Sequence, residues 1–193
     1  MRHFRPLAIL PFLALALGVG ASPARSADAP AWKLDPDKSH IRFTGTQMRV
    51  PSKGEFKKFK ADIRFDPENL AGSKVVVTVE TASARTGNGK IDKELRRELW
   101  FQVDKYPTAT FTVSKFVAKG DGSYDAVAQL KIRDQTKEVT LPFKLEVSGN
   151  RAKASGTLMM KRLDFGVGRD EWKDTSIVAD EVTVTIEVEA IRN

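Results

Sequence analysis

The sequence predicts an all-β fold: about eight antiparallel strands closed into a barrel, with one short helix lying across it. Three observations carry that prediction. Past the first 27 residues the apolar side chains recur with period two, which is the spacing of a half-buried strand. Turn-forming clusters punctuate the chain at regular intervals, as in Asp66-Pro67-Glu68-Asn69, Lys119-Gly120-Asp121-Gly122-Ser123, Arg133-Asp134-Gln135-Thr136 and Ser148-Gly149-Asn150, and these read as hairpin links. An open sheet of that many strands would leave two bare edges, and closure removes them.

Taken in order, Ile41 and Phe43 mark a strand over 39–45, and Ile63 and Phe65 mark one over 55–65. The third, 74–82, contains Val75 to Val79, which is apolar on both faces, so a helix or loop is expected to cover its outer side. Next comes the helix: Ile91, Leu95 and Leu99 fall at i, i+4, i+8, and Asn88 is placed to cap its start. Phe111 and Val113 belong to a strand over 108–117, and Ala126, Ala128, Leu130 and Ile132 share one face of 123–132. Val139 to Val147 alternate within 136–147, where Pro142 calls for an edge or a bulge. Strands over 151–162 and 180–191 complete the set, the last with Val182, Val184, Ile186, Val188 and Ala190 against a polar face.

Composition excludes several kinds of chemistry. There is no cysteine among 193 residues, which removes disulfides, thiolate metal sites and cysteine nucleophiles together. With only His3 and His40 as imidazoles, a transition-metal catalytic centre has too few ligands. His40 alternates with Ile41 and Phe43, so it is expected on the outer, wet face beside Arg42. No Gly-x-Ser-x-Gly elbow or phosphate-cradling loop occurs. Asp170, Glu171 and Asp174 lack the ligand spacing of a calcium loop and read as a solvated acidic segment.

Residues 1–27 read as a secretory signal peptide: basic Arg2, His3 and Arg5, then an apolar run from Leu7 to Val19, then small residues. The run is too short to span a bilayer. Cleavage there would leave a single exported domain, 28–193. It would also take away Arg2, Arg5 and Arg25 and no acid, so a charge of +7 becomes +4. That balance does not point to nucleic acid. Lys53, Lys57, Lys58 and Lys60 are interleaved with Glu55 and Asp62 and read as a solvated face.

What remains is binding. Eight strands enclose either a filled core or one small ligand, and Met48, Phe56, Phe59, Phe65, Trp100, Phe101, Phe111, Phe143, Met159 and Met160 supply bulky, adaptable apolar surface. Alternation shows which residues face inward, not whether the inside is empty.

Six segments, in order, resemble the YceI-like family of exported proteins: Trp32-Lys33-Leu34-Asp35 with Ser39-His40-Ile41-Arg42-Phe43; Gly54-Glu55-Phe56 leading to Ile63-Arg64-Phe65-Asp66-Pro67; Ala82-Ser83-Ala84-Arg85-Thr86-Gly87-Asn88; Tyr106-Pro107-Thr108-Ala109-Thr110-Phe111; Lys137-Glu138-Val139-Thr140-Leu141-Pro142-Phe143; and Arg162-Leu163-Asp164-Phe165-Gly166. The resemblance covers about residues 32–191. It implies a lipocalin-like barrel whose long apolar lumen binds a polyisoprenoid or similar long-chain amphiphile in the periplasm, and on that reading there is no other cofactor and no catalysis. On the same reading Phe43, Phe56, Phe65, Phe111, Leu130, Phe143 and Leu158 hold the tail, the head lies near Trp100 and Phe101, and Met48 is a further ligand contact. Where the family often carries Arg-Asp-x-His-Leu, this chain has Ile91-Asp92-Lys93-Glu94-Leu95, with Glu94 in the histidine's place. The stretch from Gly166 to Thr175 resembles a branch associated with membrane b-type cytochromes, which implies an isoprenoid quinone as ligand and such a cytochrome as partner. A homodimer stays open. Two other readings compete: an enzyme acting on a bound lipid through His40 or the acidic segment, and a packed-core module that docks a membrane protein through Lys53 to Lys60.

Overall fold

The structure, a computed structural model, describes residues 29–192; the expected signal segment lies outside the described residues. The chain runs through β1 (Ala31–Leu34), β2 (His40–Gln47), β3 (Val50–Phe56), β4 (Phe59–Arg64), β5 (Lys74–Glu80), β6 (Ala84–Arg85), α1 (Gly89–Leu95), β7 (Thr108–Gly120), β8 (Ser123–Ile132), β9 (Gln135–Ser148), β10 (Arg151–Lys161) and β11 (Glu181–Arg192). All pairings are antiparallel, and the sheet closes where β1 meets β11.

Eleven strands make eight staves. β2 and β1 lie end to end along one edge of β11, pairing with Thr183–Glu187 and Ala190–Arg192 respectively. β3 and β4 likewise continue one another, β3 on β2 and β4 between β1 and β5. The single strand expected over 55–65 is therefore interrupted at Lys57 and Lys58. Their amides turn away to Ser83, Lys57 N–H to its carbonyl (3.2 Å) and Lys58 N–H to its Oγ (3.1 Å), so the chain changes neighbours at that point. β3 also starts earlier than expected, in a tight hairpin with β2. Met48 and Arg49 form its turn at φ +48° and +68°, the double left-handed geometry that matches the twist of paired strands.

The alternation sorts the faces as expected along β8, β10 and β11, but not everywhere. Val76 is 37% exposed, so among the described residues the cover expected over the outer face of β5 is missing at that position; its inner face, Val75, Val77 and Val79, lines the barrel's interior. Pro142 sits where β9 keeps β8 as a neighbour, opposite Asp125, and the ladder to β10 has just ended at Phe143 and Gly156. A residue without an N–H belongs there.

The helix caps as expected, Asn88 Oδ1 accepting from the amides of Lys90 (3.0 Å) and Ile91 (3.4 Å). It stops at Leu95 instead of reaching Leu99. Past it the i→i−4 ladder gives way to turns: Arg97 N–H donates to Glu94 O, and Leu95 O, which Leu99 N–H would need, accepts from Phe101 N–H at 3.0 Å.

Two apolar clusters occupy the barrel's ends. Trp32, Phe65, Phe116, Ala126 and Ala190 fill one, where Trp32 Nε1 donates to Phe65 O at 2.9 Å and Phe116, Tyr124 and Phe143 pack around Phe65. Leu130, Ile132, Leu158, Phe165 and Val167 gather toward the other. Gly54 faces the ring of Phe43, where a methyl would lie 2.3 Å from Cζ. Gly54→Ala should therefore push Phe43 off its rotamer and cost about 1–3 kcal/mol, read as a lower urea midpoint with unchanged slope.

Candidate ligand-binding cavity

Between the two clusters runs a cavity of about 500 Å³, within the range that holds a small-molecule ligand. Its walls are the inward residues of every stave: Val75, Val77 and Val79 of β5, Leu141, Phe143 and Leu145 of β9, Ala152, Ala154 and Leu158 of β10, and all five alternating residues of β11. An inside lined this way has nothing to offer a polar solute.

Nine of the ten residues singled out in the sequence line this cavity: Phe43, Phe56, Phe65, Trp100, Phe101, Phe111, Leu130, Phe143 and Leu158. Met48 does not join them. It is 72% exposed at the hairpin tip, where the left-handed turn ends the alternation that would have placed it inside. Met159 is 67% exposed, while its neighbour Met160 lines the cavity, as period two requires.

Polar side chains enter the lining mainly at one end: Thr46, Gln47 and Ser52 from the β2–β3 hairpin, Thr86, Lys90 and Glu94 from α1 and its approach. Gln47 and Lys90 are exposed, so the cavity meets solvent between hairpin and helix. The alternation gave no sign of this rim, because it belongs to segments that arch over the barrel's end. Glu94, standing where the family often has histidine, accepts from Arg97 Nη1 at 3.1 Å.

The helix is tied across that mouth by one carboxylate. Thr86 donates through both its amide and its hydroxyl to Asp92 Oδ1, each at 2.7 Å. Burial pushes the Asp92 carboxyl up, but the two Thr86 bonds outweigh it and hold the group below the usual aspartate value. A depressed carboxyl stabilises the fold fully above its unfolded pKa and loses that contribution as pH falls through the folded one. Acid should thus loosen the helix only below the ordinary aspartate range. Asp92→Ala at neutral pH should speed hydrogen exchange in Ile91–Leu95 by about fivefold, the worth of roughly 1 kcal/mol of hydrogen bonding, and leave β8 and β11 protected.

Two buried arginines pin the loops at this end. All five N–H groups of Arg162 meet main-chain carbonyls: Nε donates to Ala179 O, Nη1 to Val167 O and Gly168 O, and Nη2 to Trp172 O and Val178 O, at 2.6–2.9 Å. Arg133 Nη1 donates to Glu98 O and Trp100 O, and Nη2 to Gln102 Oε1. Burial lowers the pKa of both guanidinium groups; Asp180 partly offsets this for Arg162, while Arg169 adds to it for Arg133.

The residues weighed for catalysis stand elsewhere. His40 is on the barrel's outer face, its Nδ1 2.9 Å from Glu55 Oε1, and Glu55 also accepts from Lys57. The Lys57 bond, opposed by burial and reinforced by His40, holds the Glu55 carboxyl below its usual value. Lys58 faces Glu80 at 3.7 Å, so part of the basic cluster is engaged in surface ion pairs. Asp174 Oδ1 accepts from the Ser176 amide and hydroxyl, and among the described residues no group of three or more His, Cys, Asp or Glu could hold a metal ion.

A barrel built this way, with this lining, matches known proteins. The model of the YceI-like domain covers residues 32–190. The chain belongs to the YceI-like family. It is 34% identical to a UPF0312 protein of Pseudomonas paraeruginosa across 93% of this chain and 96% of that one, and 30% identical to a UPF0312 protein of Vibrio cholerae across 80% and 87%. Among solved structures, Burkholderia cenocepacia BcnA superposes with a TM-score of 0.79 at 36% identity, over 81% of this chain and 99% of its own. A polyisoprenoid-binding domain from Saccharophagus degradans shares the fold with a TM-score of 0.69 at 17% identity, over 85% and 99%. The YceI fold thus places this chain among closed antiparallel barrels.

Proposed function

We propose that this YceI-like protein is a non-catalytic carrier of a long-chain isoprenoid lipid, a polyisoprenoid or an isoprenoid quinone, working in the periplasm after export. The observation that carries this reading is the cavity: apolar along the barrel, polar at its rim, and open to solvent at that rim. The polyisoprenoid named for the Saccharophagus degradans domain supports the choice of cargo, and the signal-like residues 1–27 support the compartment.

Each methylene withdrawn from water is worth about 0.8 kcal/mol, so an isoprenoid chain does not travel free. Its competing site is the bilayer, which is equally apolar. A carrier therefore needs an apolar lumen and an opening to solvent for exchange, and the apolar walls and polar, open rim of this barrel support that reading. His40 and the carboxylates of Asp170, Glu171 and Asp174 lie off the cavity wall, which disfavours a lipid-modifying reaction by any of them.

A geranylgeranyl probe with a photoreactive diazirine at the far end of its tail tests this directly. Crosslinks mapped to Phe65, Phe116 or Phe143 are the expected result. Crosslinks confined to exposed residues such as Met159, or none, would contradict it.

A further inference from the structure

At the mouth end of the cavity two tryptophans meet, Trp100 and Trp172, with ring centroids 5.5 Å apart. Both line the cavity, and in both the indole Nε1 is buried with no acceptor among the described residues. The third tryptophan shows how this fold otherwise treats such a group: Trp32 Nε1, at the far end, is bonded to Phe65 O. A buried N–H left without an acceptor costs free energy, so two of them on neighbouring rings that both line the cavity are a feature to explain. Beneath Trp100 lies the Arg162 guanidinium, 5.7 Å from the ring. Its own N–H groups are all spent on main-chain carbonyls, and Asp180 tempers its charge. It therefore offers this corner positive potential and no further hydrogen bond.

We infer that Trp100 and Trp172 form a head-group subsite that recognises a ligand through acceptor oxygens, the paired indole N–H groups donating to them. The inference rests on the carrier reading above and narrows its cargo to lipids whose head presents an accessible acceptor, a quinone carbonyl or a phosphate. The tail then runs from this corner toward Phe65 and Phe143. A head that cannot accept a hydrogen bond would leave both donors unpaired, and specificity comes from that penalty.

The test compares three ligands with one tail: a geranylgeranyl quinone, geranylgeranyl phosphate and the corresponding headless hydrocarbon, each titrated into the intact mature protein. Each indole N–H should favour the acceptor heads by about fivefold. Trp100→Phe and Trp172→Phe, which keep an aromatic ring and remove the donor, should each cut the ratio of acceptor-head to hydrocarbon affinity by about fivefold. Raising salt separates the two heads, since only the phosphate's advantage should shrink. In the unsubstituted protein, the Nε1–H resonances of Trp100 and Trp172 should move downfield on loading an acceptor head, with Trp32 unmoved. Equal affinity for all three ligands, or a preference and resonance shifts that ignore both indoles, would overturn the subsite while the carrier reading stood. Failure of even the hydrocarbon to bind would remove the carrier reading, and the subsite with it.

Discussion

Arg162→Met should destabilise the protein by about 3–5 kcal/mol, with a fall in Tm of roughly 10 °C or more for a domain of this size. Five main-chain carbonyls, from Val167, Gly168, Trp172, Val178 and Ala179, converge on one guanidinium that is 3% exposed. Methionine fills much of the space but leaves all five acceptors without a donor, and an orphaned buried polar group costs about 1–3 kcal/mol before relaxation and water entry repay part of it. Arg162→Lys should fare little better, because one ammonium with three donors cannot span the arc that the fork covers. The loss should concentrate at the 162–178 end, so Trp172 fluorescence would shift to the red before the barrel melts. A urea midpoint within error of the parent protein would show that the arginine is not the pin it looks to be.

The second large effect is on binding. Ala154→Trp puts an indole on the inward face of β10, midway along the cavity, where residue 154 pairs with Leu145 and Val188. The site is apolar and open, so the fold should tolerate the ring and gain buried apolar contact, with Tm unchanged or raised. Uptake of a geranylgeranyl probe from vesicles should fall at least tenfold, since the plug and the tail compete for the same space. Lys153→Trp, one residue away on the outer face beside Glu189, should change neither. Equal uptake by both variants would mean the chain binds outside the lumen.

How far the sequence reaches can be judged from particular residues. Where a strand is long and one face is wet, period two places it well: 123–132 coincides with β8, and 180–191 differs from β11 by one residue. The walls of the cavity were legible for the same reason, because in a barrel the inward face and the cavity wall are one set. The misses have physical causes. β1, four residues from Ala31 to Leu34, is too short to show a period. The helix end at Leu95 is decided by local turns in which Arg97 N–H reaches Glu94 O and Phe101 N–H takes Leu95 O, a competition invisible to a helical stripe. Met48 fails because a left-handed turn breaks the alternation at that residue. Arg162 gives no local sign of burial, since every hydrogen-bond partner of its side chain is a main-chain carbonyl, which leaves no pattern of side chains to read. Trp172, inside a segment that reads as an acidic loop, reaches the cavity only because that pin folds residues 162–178 over the barrel's end.

The central claim is that the lumen holds a long-chain isoprenoid. The most direct measurement is native mass spectrometry of the mature protein purified from the periplasm without detergent, followed by organic extraction of whatever it carries. A one-to-one complex that releases an isoprenoid, with Ala154→Trp recovered empty from the same cells, is the predicted result. Protein that arrives at its bare mass and takes up no added polyisoprenoid from vesicles would contradict it.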